Sequence, residues 1–296
     1  IFTDNIQMIV IGILLLISLT YINSFTGSEF SFEFINKKNP QLLSSSYIPS
    51  YTAGLTFFIA VAATNLFHQG NWQRVYAAKN FETLRKSLII SFFLILPIVF
   101  YMGFTGMVAF SIDPTTRPDL GFFTLLLKEQ TELLSLFVIV LGLALTISTV
   151  DTLVNAISSL IVVDGKATFN FNKKTNYLNF SKYIILFLSL ICFIIASKGY
   201  DILYLFLLAD LFCCAFVLTV FYSFYNKKIN EKTAYISIII GLAGGFLLFP
   251  MPDFSRSILV GYILPVDLFP NFVSQSLLFL SFIIATFLPA ITWKLK

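Results

Sequence analysis

Charge is scarce in this chain. Asp, Glu, Lys and Arg together make up 11% of the 296 residues, while 57% are hydrophobic. With a mean hydropathy of +0.87, the composition lies outside soluble globular usage and inside that of polytopic membrane proteins. Histidine occurs once, at His68, which excludes a histidine-rich metal site. The position of His68, at the edge of an apolar run, reads as a snorkelling interfacial residue rather than a catalytic one. Cysteine occurs three times, and Cys192, Cys213 and Cys214 all sit within apolar runs without metal-ligand spacing. They read as small buried hydrophobes and argue against a disulfide framework. A phosphate-binding glycine loop is absent, as is a nucleophile beside a positioned base, so nothing points to an enzyme. The net charge of +4 is too small and too dispersed for a nucleic-acid partner and reads instead as a topology signal.

What the chain does have is long apolar runs. They lie at about Phe2 to Phe25, Ile48 to Phe67, Leu88 to Ile112, Leu133 to Val163, Tyr183 to Ser197, Ile202 to Phe224, Ala234 to Phe249 and Ser274 to Trp293. The expected fold is all-α: a polytopic membrane helix bundle of about eight transmembrane helices in a lipid bilayer, forming a single unit over residues 1–296. The breaks between runs are polar or carry turn residues, and none is long enough for a soluble domain. The opening Ile1-Phe2-Thr3-Asp4 has no initiator methionine, charged n-region or cleavage site, so it is not a signal peptide. It reads as a cut end at or just inside a membrane helix, with part of the parent protein missing.

Alternate loops differ in basic content. One set holds Arg74, Lys79, Arg85, Lys86, Lys166, Lys173, Lys174, Lys182, Lys227, Lys228, Lys232, Lys294 and Lys296; the other holds Lys37, Lys38, Arg117, Lys128, Lys198 and Arg256. The positive-inside rule makes the first set cytoplasmic. Ile1 then starts on the cytoplasmic side, and the fourth run passes from outside to inside.

That fourth run carries Ser148, Thr149, Asp151, Thr152 and Asn155 near the middle of the hydrocarbon, where an unpaired charge costs a few kcal/mol or more. On a helix Ser148, Asp151, Thr152 and Asn155 share one face. Hard, neutral oxygens suit a hard cation; alternatively, the hydroxyls bond back to carbonyls four residues earlier. Back-bonding does not relieve Asp151, so a site for a cation, a proton or a polar solute follows. Asp210 is a second deep acid, either paired with a polar group on a neighbouring helix or protonated. Asp4 is a helix cap or a ligand. The spanning cores hold no basic residue to pair with these acids. In the second run, Tyr51, Gly54 and Thr56 mark a stretch where small residues permit close packing or a local helix break of the kind that lines substrate sites.

Three segments together resemble the sodium:solute symporter family. Phe2-Thr-Asp4-Asn-Ile-Gln7 resembles its "W-T-D-x-x-Q" helix start, and Asn71-Trp-Gln-Arg-Val-Tyr-Ala-Ala-Lys79 its "x-x-Q-R-x-x-A-A-K" cytoplasmic loop. Ile147-Ser-Thr-Val-Asp-Thr-Leu-Val-Asn-Ala-Ile-Ser-Ser159 is similar to its "M-S-T-A-D-S-x-L-x-x-x-S-S" helix. The resemblance implies the leucine-transporter-type fold, a pair of five-helix inverted repeats with trailing helices. The present chain would then cover the fifth core helix to the C-terminal accessory helices, with the first four core helices, its partners in the fold, absent.

The resemblance also implies site residues. The sodium site shared by the fold falls, on its eighth helix, at the Leu145 carbonyl and the hydroxyls of Ser148 and Thr149. A second cation site found in some members falls on Asp4, Ser148, Asp151 and Thr152; members with two sodium ions tend to carry a hydroxyl where this chain has Asp151. The implied activity is sodium-coupled symport of a small polar solute by alternating access, in a bacterial cytoplasmic (inner) membrane. The alternative is a symporter-like sensory module of a membrane signalling protein.

Overall fold

In hydrocarbon no water satisfies a backbone N–H or C=O, so apolar runs of spanning length close their own hydrogen bonds as helices. The computed structural model describes all residues except 1, 118–119, 129–130, 169–176, 226–228, 255 and 295–296; side chains of 2–5, 25, 166–168, 177 and 294 also lie outside the description. The helices are α1 (Phe2–Thr26), α2 (Phe32–Lys38), α3 (Pro40–Leu43), α4 (Ile48–Phe67), α5 (Gln69–Ala77), α6 (Phe81–Ile112) and α7 (Gly121–Leu126). They continue with α8 (Glu132–Thr168), α9 (Tyr177–Ala196), α10 (Ile202–Ser223), α11 (Glu231–Leu248), α12 (Asn271–Gln275) and α13 (Leu277–Lys294). Among the described residues seven helices are long and apolar enough to cross a membrane; an eighth apolar stretch, Leu277–Trp293, is shorter. At about 1.5 Å per residue it falls a little under the hydrocarbon thickness of about 30 Å. The expected bundle is therefore all-helical, with the eighth run the marginal member.

Several ends follow local chemistry rather than hydropathy. The expected span from Leu88 begins a full two turns earlier, because the Asn80 side chain accepts the Thr83 N–H and Lys86 pairs with Glu82 at 2.7 Å. Pro97 sits inside α6 without ending it. The expected polar breaks are partly helical: α2 is capped by Ser31, and α7 lies in the break after Asp113. Gly54 does not break its helix. The chain instead leaves helical geometry at His68, between α4 and α5.

The chain groups into two compact units, each with its own core. The first comprises 1–44 and 69–194. Leu14 and Ile22 of α1, Val108 and Ala109 of α6, Leu125 and Leu126 of α7, and Val138 and Leu141 of α8 are buried together. Gly121 lets α7 lie against α6, since a Cβ there would come 2.9 Å from the Gly106 Cα. Ser18 and Tyr101 join α1 to α6 through hydroxyls 3.1 Å apart. The second unit comprises 45–68 and 195–296. Ala60 and Ala63 of α4, Leu207, Leu211 and Cys214 of α10, and Phe282 and Ala285 of α13 form its core. Gly241 and Gly245 bring α11 against Ala285 and Pro289 of α13.

Candidate functional site

The polar residues of α8 meet different surroundings. Ser148 and Thr152 are half-buried, whereas Thr149, Asp151 and Asn155 are exposed. Thr149 Oγ1 donates to the Leu145 carbonyl at 2.9 Å and Thr152 Oγ1 to the Ser148 carbonyl at 3.0 Å. Both hydroxyls thus adopt the back-bonding alternative. This does not disqualify them as ligands. A back-bonded hydroxyl spends its one proton on the carbonyl and keeps acceptor lone pairs facing away from it. The Leu145 carbonyl accepts the Thr149 hydroxyl in addition to the helical N–H of Thr149, so a cation ligated there would take the place of the hydroxyl's bond; the oxygens of Leu145, Ser148 and Thr149 are of the hard, neutral kind that suits a monovalent cation.

Two glutamines hold this helix among its neighbours in the first unit. Gln7 Nε2 of α1 reaches the Ala144 carbonyl at 3.5 Å, long for a hydrogen bond. Further along α1, Ile11, Leu14 and Leu15 line a cavity of about 130 Å³ with Val138, Leu141, Gly142 and Leu145 of α8. Asp4 stands about one turn before Gln7 on α1; its side chain lies outside the described residues.

At the other end of α8, Gln73 Nε2 of α5 donates to Ser159 Oγ at 2.8 Å, and Ser159 in turn donates to the Ala156 carbonyl. Ser158 and Ser181 join α8 to α9 at 3.3 Å. Gln7 and Gln73 carried no expected role, although both stand in quoted motif segments. A polar side chain at a fixed place in two separate motifs was the signal that could have found them. All three segments that carry the resemblance thus meet along α8.

In the second unit, Thr56 of α4 is fully buried and donates to the Thr52 carbonyl at 2.7 Å. Tyr51 and Gly54 lie on the exposed side of the same helix, and a Cβ on Gly54 would meet nothing within 4 Å. The structure therefore does not bring Thr56 together with Tyr51 and Gly54. Asp210 of α10 meets a polar group on a neighbouring helix, one of its two expected states: Thr64 of α4 donates to Asp210 Oδ1 at 2.5 Å.

The model of the sodium:solute symporter family matches residues 1–241. The chain is similar to the spermidine transporter DUR31 of Candida albicans, with 27% identity over 223 residues, covering 74% of this chain and 41% of that transporter. It thus spans less than half the length of this curated relative. No solved structure matches the chain significantly. A match over most of the sequence, with its three motif segments meeting on one helix and seven helices of spanning character, places the protein in the membrane as an integral component. The chain belongs to the sodium:solute symporter family.

Proposed function

We propose that the protein is a secondary transporter that couples sodium entry to uptake of a small polar organic solute by alternating access. The observation that carries this reading is the exposed Thr149 hydroxyl, 2.9 Å from the Leu145 carbonyl and next to Ser148, on the helix where the motif segments meet. Neutral oxygens matter here. A co-transported ion has to leave on the low-sodium side, and a cage of carboxylates would retain it. A membrane potential adds about 2.3 kcal/mol per charge per 100 mV to the driving force. In this reading the ion binds on α8, solute binds near the midplane, and a rocking movement exposes both to the cytoplasm. Asp4, Asp151 and Thr152 make up a second cation site between α1 and α8, and Tyr51, Gly54 and Thr56 contribute to solute binding from α4. The protein resides in the cytoplasmic membrane with residue 1 on the inner side.

The similarity to a transporter named for spermidine makes polyamines a leading solute class. The spanning cores supply acids and no bases, so cationic amines find counter-charges there without competition from internal ion pairs. The test is uptake by the full-length protein in vesicles, using radiolabelled spermidine, proline, urea, pantothenate, sialic acid and a sugar. Saturable uptake of one of these that vanishes when choline replaces sodium is expected. Uptake indifferent to that replacement overturns sodium coupling, and non-saturating flux points to a channel.

A further inference from the structure

The α4–α10 contact holds an acid that the sodium reading does not use. Asp210 is 7% exposed on α10, the helix whose Leu207, Leu211, Cys214 and Ala215 pack with Ala60 and Ala63 of α4 in the buried core of this unit. Its polar company is small. Thr64 of α4 donates to its Oδ1, and the same hydroxyl lies within hydrogen-bonding reach of the Cys213 thiol. Cys214 is the other titratable group nearby on α10, and α13 contributes Thr286, which reaches Cys214 rather than the acid. Of the other titratable groups on these helices, Tyr51 is more than three turns from Thr64 on α4, His68 follows one turn after Thr64 at the end of α4, Tyr204 and Tyr222 lie near the two ends of α10, and Glu231, Lys232 and Tyr235 occupy the first turns of α11. Among the described residues none of these makes a charge interaction with Asp210, whose polar partner is Thr64.

A second feature adds to the demand for positive charge. Thr64 stands in the last turn of α4, immediately before the chain leaves helical geometry at His68. The carbonyl end of a helix carries partial negative charge, so an ionised Asp210 would meet the unfavourable pole as well as an apolar shell. One hydrogen bond does not offset both. A metal ion is a poor remedy. Among the described residues no group of three or more His, Cys, Asp and Glu could hold one, and the shell of alanine and leucine offers few oxygens. A proton needs only the carboxyl itself.

We propose that Asp210 is a proton-binding site within the membrane, its carboxyl carrying a proton on Oδ2 while the Thr64 hydroxyl bonds the carbonyl oxygen Oδ1. Breaking the α4–α10 contact would remove that bond and expose the acid, so proton loss is tied to movement of the last turn of α4. The inference goes beyond sodium coupling and does not depend on it.

Infrared spectra of the full-length protein in lipid vesicles at neutral pH provide the test, because a protonated carboxyl has a C=O stretch that neither a carboxylate nor an amide shares. Asp210→Asn is expected to remove one such band. Thr64→Val is expected to keep it and move it to higher frequency, since the carbonyl oxygen loses its hydrogen bond. Identical carboxyl bands in wild type and Asp210→Asn overturn the proposal, as does a band that Thr64→Val leaves in place. If Asp210→Asn does not fold, the shift in Thr64→Val decides alone. None of these readings involves α8, so failure here and failure of the sodium site are distinguishable.

Discussion

Removing the two hydroxyl oxygens next to Leu145 tests the sodium site without knowledge of the solute. The variant is Ser148→Ala with Thr149→Val; valine keeps the β-branched shape and deletes only the oxygen. The lost bond from Thr149 Oγ1 to the Leu145 carbonyl, 2.9 Å long, lies on an exposed face, so its loss costs the fold at most about 1 kcal/mol. Each oxygen that touches a cation contributes about 1.5 to 3 kcal/mol, and 1.4 kcal/mol is tenfold, so losing one raises the sodium Kd about ten- to a hundredfold and losing both raises it by at least that much. Sodium that binds only the folded state stabilises it by RT ln(1 + [Na]/Kd). At a sodium concentration of about 100 times the wild-type Kd, that is about 2.7 kcal/mol for wild type. It falls to about 1.4 kcal/mol if Kd rises tenfold and to about 0.4 kcal/mol if it rises a hundredfold. The assay is the shift in thermal midpoint of the purified full-length protein between sodium and choline chloride. Thr146→Val is the control, because Thr146 makes the same back-bond, to Gly142 at 2.8 Å, one position after Leu145 and outside the expected ligand set. Undiminished sodium stabilisation in the double variant, or an equal loss in Thr146→Val, refutes the assignment.

Three further outcomes test the packing around the site. Gly54→Ala is expected to stabilise α4, by up to about 1 kcal/mol, because a methyl group there meets open space and alanine favours the helix; a lower thermal midpoint would show that Gly54 serves a break or a close contact. Gly241→Ala places a Cβ 2.6 Å from Pro289 Cγ and 2.9 Å from the Ala285 carbonyl, neither of which can swing aside, and is expected to cost about 1 to 3 kcal/mol in a denaturation experiment. The same change at Gly244 meets the Ile284 Cγ2 and Leu288 Cδ2 methyl groups at 2.8 Å, side-chain atoms rather than backbone or a proline ring, so it should cost less; the reverse order would contradict the α11–α13 packing. Gln73→Ala removes the 2.8 Å bond to Ser159 and is expected to speed amide exchange in α5 and the facing turn of α8, with about 0.5 to 1.5 kcal/mol lost. Exchange unchanged at both places would show that the bond does not hold α5.

The spans were legible because hydrocarbon forces apolar runs into helices, and for Ile48–Phe67 the apolar run and the helix have the same ends. Other ends were not legible from hydropathy, since α6 starts at an Asn80 cap and an ion pair that belong to the water side. Faces were harder still. A run that is apolar all round does not say which side meets protein and which meets lipid, so Thr56, turned into the core of the second unit, and Tyr51, turned out of it, looked alike. The break at His68 is marked by the change from apolar to polar residues, with Gly70 two positions on, while Gly54 and Pro97 announce breaks that helical geometry absorbs. At the site, the back-bonds of Thr149 and Thr152 follow from spacing alone, whereas Gln73 meeting Ser159 depends on how α5 packs against α8.

Asp151 and Asp210 show what packing adds to the rule that an intramembrane acid is functional. In the sequence they are equivalent: each stands in an apolar run, and neither has a base within its span. The structure separates them by the size of the cation that each could accept. Asp151 is exposed on α8, three residues beyond Ser148 and two beyond Thr149, so no described side chain covers it against an approaching cation. Asp210 is 7% exposed at the α4–α10 contact, beside buried apolar residues of both helices and with one hydroxyl at 2.5 Å, so a proton on the carboxyl itself is the counter-charge that needs least room there. The open acid can exchange its counter-charge while the helices stay packed, whereas the closed one can do so only when they move. On the proposed reading, coupling between ion binding and conformational change would therefore fall more heavily on the α4–α10 contact than on the polar stretch of α8 that dominates the sequence.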